Sequence, residues 1–112
     1  MKINLIGDVE LQEILDRDQS WALIFFSYYE SIPCNHFRPE FSAITGHFIT
    51  QVYCAEINVE ENPSIADNLQ IVAVPTTLLL HKGKELGRYE GPYSYEALIE
   101  RITPLLKNSQ KR

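Results

Sequence analysis

Hydrophobic positions along the chain change period several times, and each change marks an element. Leu11, Ile14 and Leu15 recur at the spacing of one helical face behind Asp8, a good capping residue type, so a helix is predicted from Asp8 to about Arg17. Ala22 to Phe26 is an unbroken apolar run in which Ile24, Phe25 and Phe26 favour extended structure, the pattern of a strand covered on both faces. Continued to Tyr29, it is the predicted central strand. Phe37, Phe41, Ile44 and Phe48 mark a second helix beginning just after Ser31, with Pro39 inside it where a kink is expected. Val52 to Val59 reads as a second buried strand, followed by the polar break Glu60-Glu61-Asn62-Pro63 and a short helix around Ser64 to Leu69. Thr76 to His81 is a strand, Lys82 and Gly83 a turn, and Glu85 to Glu90 a polar strand suited to a sheet edge. Ser94 can cap a closing helix striped by Leu98, Ile99, Ile102, Leu105 and Leu106, after which residues 107–112 are expected to fray as a flexible basic tail.

Strand, helix and strand in this order form a right-handed parallel unit, and the later strands form an antiparallel hairpin. The predicted class is therefore α/β: a mixed four- or five-stranded sheet with helices on both faces. A length of 112 residues allows one core, which places the domain at residues 1–106. The balance of 10 basic against 15 acidic residues sharpens before the tail, because Lys107, Lys111 and Arg112 supply three of the cations. The remaining surface repels phosphate backbones and anionic lipid, which argues against nucleic acid and membrane as partners. No apolar run reaches the roughly 18 residues of a membrane span, and the first residues lack a secretory pattern, so the expected compartment is the cytoplasm and the expected state a monomer. Cys34 and Cys54 are too few for a disulfide scaffold, and His36, His47 and His81 are dispersed, so neither a metal nor a cofactor is expected.

The chemistry should lie where the central strand runs into the second helix, at Phe26-Ser27-Tyr28-Tyr29-Glu30-Ser31-Ile32-Pro33-Cys34. This junction resembles the thioredoxin family, whose active site is Trp-Cys-Gly-Pro-Cys at the same point. Ile57 to Pro63, Ile71 to Thr77, and Lys82-Gly83-Lys84 followed by Gly91 also fit the family pattern, so the resemblance runs from about Ile3 to Leu106. It implies the thioredoxin fold and a cis peptide before Pro75 facing the motif. The departures fall on the chemistry. Ser31 stands where the family has its exposed nucleophilic cysteine, and Cys34 matches only the second, more buried one. Glu30 and Ser27 replace tryptophans, Phe25 replaces a buried aspartate that assists proton transfer, and Glu56 replaces a lysine near that aspartate.

A dithiol oxidoreductase needs one thiolate to attack and a second thiol to resolve the mixed disulfide. Ser31 cannot enter that cycle, and as a residue type it suits the N-cap of the helix, bonding the amide of Cys34. Two functions follow from the resemblance. The first is a redox-inactive domain that binds a protein or extended peptide in a groove lined by Ile32, Pro33, Val74, Pro75, Gly91 and Pro92. The alternative is a single-cysteine thiol enzyme or redox sensor acting through Cys34, a monothiol reductase or a peroxidase, since peroxiredoxins carry a cysteine in a Thr-x-x-Cys pattern of similar form. A structural Cys34 is the favoured reading, because small buried cysteines are usually packing residues. Cys54, between Tyr53 and Ala55 in a buried strand, reads as core.

Overall fold

The computed structural model describes residues 3–17 and 20–110. Five strands and four helices follow in the order β1 (Asn4–Ile6), α1 (Asp8–Arg17), β2 (Trp21–Ser27), α2 (Ile32–His47), β3 (Val52–Asn58), α3 (Pro63–Asn68), β4 (Thr76–His81), β5 (Lys84–Glu90) and α4 (Tyr95–Gln110). They build one mixed sheet of order β1-β3-β2-β4-β5. β1 and β2 flank β3 in parallel, β4 pairs antiparallel with β2, and β5 closes the far edge antiparallel to β4.

β2 is buried on both faces because its side chains alternate between two apolar layers. Leu23 and Phe25 join Phe37, Phe41 and Ile44 of α2 and Leu98, Ile102 and Leu106 of α4 on one face. Ala22, Ile24 and Phe26 join Leu11 and Ile14 of α1 and Ile65 of α3 on the other. The hairpin between β4 and β5 turns at Lys82 and Gly83, with φ of 54° and 77°. Two positive φ values in a two-residue connection are the signature of the turn whose twist matches the strands it joins.

Several sequence expectations need correction. β1 was absent from the pattern, since three residues are too few to show a period; Asn4, Leu5 and Ile6 pair with Ala55, Glu56 and Ile57. Asp8 is the first helical residue of α1 rather than its cap. The carbonyl of Gly7 accepts the first helical bond from Leu11, the Gly7 N–H donates back to Glu10 Oε1 at 3.0 Å, and the Asp8 N–H donates to Asn62 Oδ1 at 2.9 Å. The central strand stops at Ser27, short of Tyr29, because Tyr28 already belongs to a turn in which its carbonyl accepts the Ser31 N–H at 3.0 Å. α4 passes the expected end at Leu106 and continues to Gln110, with Lys107 in its last turn where a cation suits the helix dipole. Residues 111 and 112, the rest of the expected tail, lie outside the described residues.

Candidate functional site

Four segments leave one end of the sheet around the Ser31 junction. Phe26 is level with Ile57 on one side and Thr76 on the other, and Thr76 is level with Glu90. The segments that follow Ser27, Asn58 and Glu90, and the one that precedes Thr76, therefore emerge together.

Ser31 is the N-cap of α2, in extended conformation at φ −77° and ψ 123°. Its Oγ accepts the Cys34 N–H at 3.2 Å and its carbonyl accepts the Asn35 N–H at 3.0 Å. Pro33 sits in the first helical turn, where its missing N–H costs nothing. The Asn35 side chain donates back to the Tyr29 carbonyl at 3.3 Å and so ties the preceding loop to the helix. Ile32 and Pro33 are exposed, and Ile32 keeps 68% of its surface in solvent. One turn inward, Cys34 has no exposed surface and lies in the layer that contains Phe25 and Phe37. Both cysteines are free thiols. Burial pushes the Cys54 thiol up to about 11, against a weaker opposing hydrogen bond with Thr45, which leaves it inert at neutral pH.

Behind Cys34 lies an ion pair that sequence reasoning did not assemble. Phe25 is level with Glu56 on the neighbouring strand, and the Glu56 side chain is only 6% exposed. Its Oε2 accepts the Ser27 hydroxyl at 2.6 Å and Arg38 Nη2 at 2.7 Å, while Oε1 accepts Arg38 Nε at 3.0 Å. Arg38 Nη1 reaches Asn35 Oδ1 at 2.6 Å, and its guanidinium lies 5.6 Å from the centre of the Phe25 ring. This forked geometry offsets the cost of taking the carboxylate out of water. The Glu56 hydrogen bonds hold the Arg38 pKa above its ordinary value. The pair borders an open cleft of about 500 Å³ between β1 and α2, lined also by Ile3, Pro39 and Ser42. The available signal was an acidic residue inside an apolar strand, which demands a cation. Arg38, four residues after Cys34, is that cation.

The expected groove residues are placed as follows. The Val74–Pro75 peptide is cis. Pro75 is buried, and Val74 is half-buried against the layer that holds Cys34. Gly91, at φ 100°, donates its N–H to the Pro75 carbonyl at 2.8 Å, which joins the two loops directly, and Pro92 beside it is exposed. Tyr29 and Val72 add exposed apolar surface at this end. The histidines are spread out: His36 is exposed, the His47 ring shares a 3.1 Å hydrogen bond with the Tyr95 hydroxyl, and His81 stacks on Trp21 at 3.9 Å. Among the described residues no group of three His, Cys, Asp or Glu could hold a metal ion, and no helix is long and apolar enough to cross a membrane.

Comparison with known proteins agrees with this fold. The Thioredoxin family model matches residues 4–104. Thioredoxin Y of the rice chloroplast, from Oryza sativa subsp. japonica, is 27% identical over 85% of this chain and 56% of its own length. Thioredoxin Y1 of the Arabidopsis thaliana chloroplast is 32% identical over 67% of this chain and 44% of its own. The aligned stretch thus spans about half the length of these two plant relatives. A crystal structure of chloroplastic thioredoxin z superposes with a TM-score of 0.83 at 22% identity, covering 96% of each chain, and shows the same fold.

Proposed function

Because this chain belongs to the thioredoxin family, we propose that it is a member without dithiol chemistry that binds a protein or extended peptide at the motif end of its sheet. The groove runs between Ile32 and Pro33, Val74 and Pro75, and Gly91 and Pro92. The observation that carries this reading is the state of the Ser31 and Cys34 pair. The Ser31 hydroxyl is engaged as a helix cap, and the Cys34 thiol has no surface from which to meet a substrate sulfur. Thiol–disulfide exchange needs an accessible thiolate, and a serine hydroxyl without a partnered base does not replace one. The apolar Phe25 and the closed Glu56–Arg38 pair support the same reading, since neither leaves a carboxylate free to relay a proton to Cys34.

The competing single-cysteine reading needs Cys34 to be accessible, and that is what titration with a chromogenic disulfide reagent measures. In the native protein neither thiol is expected to react on the timescale of minutes, and both are expected to react once denaturant is added. Fast reaction of one thiol at neutral pH, abolished in Cys34→Ala, overturns the binding-module reading and assigns the protein to the single-cysteine thiol enzymes.

A further inference from the structure

The motif end of the sheet combines exposed apolar side chains with mainly acidic charge. The four segments that emerge there, residues 28–31, 59–62, 69–75 and 90–94, contain Glu30, Glu60, Glu61 and Glu90 and not one lysine or arginine. Of the three arginines beside them, Arg101 lies over the Tyr93 ring with its guanidinium 5.5 Å from the ring centre, and the other two are neutralised. Arg38 is forked onto Glu56, and Arg88 donates to both carboxylate oxygens of Glu85 and to the carbonyls of Leu69 and Gln70. Three side chains among these segments and the start of α2, Tyr29, Ile32 and Val72, are large, apolar and 44%, 68% and 83% exposed. Three of the carboxylates act on the two tyrosines of this end. A hydrogen bond to Glu60, reinforced by the charge of Glu30, raises the Tyr28 pKa, and Glu61 contributes after burial to the upward shift of Tyr29. At the opposite end, where Trp21 is level with His81, the turn carries Lys82 and Lys84 instead. The molecule is polarised along its strands.

We propose that the motif end docks a cationic, extended segment of a partner protein. Its apolar side chains would cover Tyr29, Ile32 and Val72 while its lysines or arginines meet Glu30, Glu60, Glu61 and Glu90. The inference rests on the groove reading above and adds the charge class of the occupant. Complementary charge around an apolar contact speeds encounter and rejects acidic competitors.

The test uses two fluorescent peptides that share a Val-Leu-Val core, one flanked on each side by lysines and the other by glutamates, with binding followed by anisotropy. At low salt, about 0.02 M, the lysine peptide should bind at least ~10-fold more tightly, and the preference should shrink towards unity near ~0.5 M salt. Replacing the four carboxylates (Glu30→Gln, Glu60→Gln, Glu61→Gln, Glu90→Gln) should remove the preference. Lys82→Gln with Lys84→Gln at the other end should leave it unchanged. Ile32→Ser should weaken both peptides by ~5-fold through lost apolar contact. Equal binding of the two peptides, weakened by Ile32→Ser, overturns the charge inference and leaves the groove standing. A lysine preference that survives the four glutamine substitutions also overturns it, since the attraction then comes from net charge rather than from this face. No binding of either peptide at low salt overturns both readings.

Discussion

Arg38→Ala should destabilise this protein more than Glu56→Ala, although the two residues form one ion pair. The asymmetry follows from burial: the Glu56 side chain is 6% exposed and that of Arg38 is 30% exposed. Without Arg38, the carboxylate keeps only the Ser27 hydroxyl, and stranding a buried charge costs ~3–5 kcal/mol. Water from the adjoining cleft places the expected value near the lower end, about 3 kcal/mol. Without Glu56, the guanidinium keeps Asn35 and turns to solvent, and the Ser27 hydroxyl falls back on the Ile57 carbonyl at 3.5 Å. That loss is ~1–2 kcal/mol. The double variant should cost less than the two singles together by ~1–3 kcal/mol, and replacing both with Met and Leu should recover much of the loss by filling the space with apolar groups. Urea unfolding of the wild type, both singles, the double alanine variant and the Met/Leu variant measures all of these terms. Two singles that each cost under ~0.5 kcal/mol and simply add would refute the buried pair. A larger loss for Glu56→Ala than for Arg38→Ala would refute the burial argument.

Further outcomes follow from the geometry at Ser31, His81 and Gly83. Ser31→Ala removes the α2 cap and should cost ~1 kcal/mol in the same assay, whereas Ser31→Cys should fold and form a 31–34 disulfide under mild oxidant; no such disulfide would mean that Ser31 is not at the helix start. The lone tryptophan, Trp21, stacks on His81 with 3° between the ring planes, so protonation of His81 should quench its fluorescence. Burial and then Lys82 hold the His81 pKa below its ordinary 6.5, so the midpoint should fall below 6.5 and vanish in His81→Gln. Because the folded state disfavours the proton, stability should decline slightly as pH drops through and below 6.5 and level off below the folded midpoint. Gly83→Ala should cost at least ~1 kcal/mol, since an added Cβ at φ 77° would strike the Leu15 carbonyl; a neutral effect on the unfolding midpoint would show that the hairpin relaxes freely.

The fold was legible where elements are long and strongly patterned. The run from Ala22 to Phe26, the helical stripe from Phe37 to Phe48 and the closing stripe from Leu98 to Leu106 each declared type and position. Short or cross-chain features were not legible. β1 spans three residues and exists because β3 offers an edge to pair with, and the start of α1 is held by Asn62, 54 positions away. The same division holds at the site. Ser31 and Cys34 could be placed from local spacing and resemblance, and the Ser31 cap is a contact three residues long. The Glu56–Arg38–Ser27 network joins β3, α2 and β2, so no local window contains it. An acidic residue at position 56 pointed to its existence but not to its partner.

On the proposed reading, this family member carries out neither dithiol nor single-thiol catalysis. Reduction of a protein disulfide such as that of insulin by dithiothreitol, followed by turbidity with and without the protein, tests it most directly. The wild type should leave the rate at background, and Ser31→Cys should raise it little because Phe25 cannot relay a proton to the buried sulfur. Catalysis by the wild type that disappears in Cys34→Ser would contradict it.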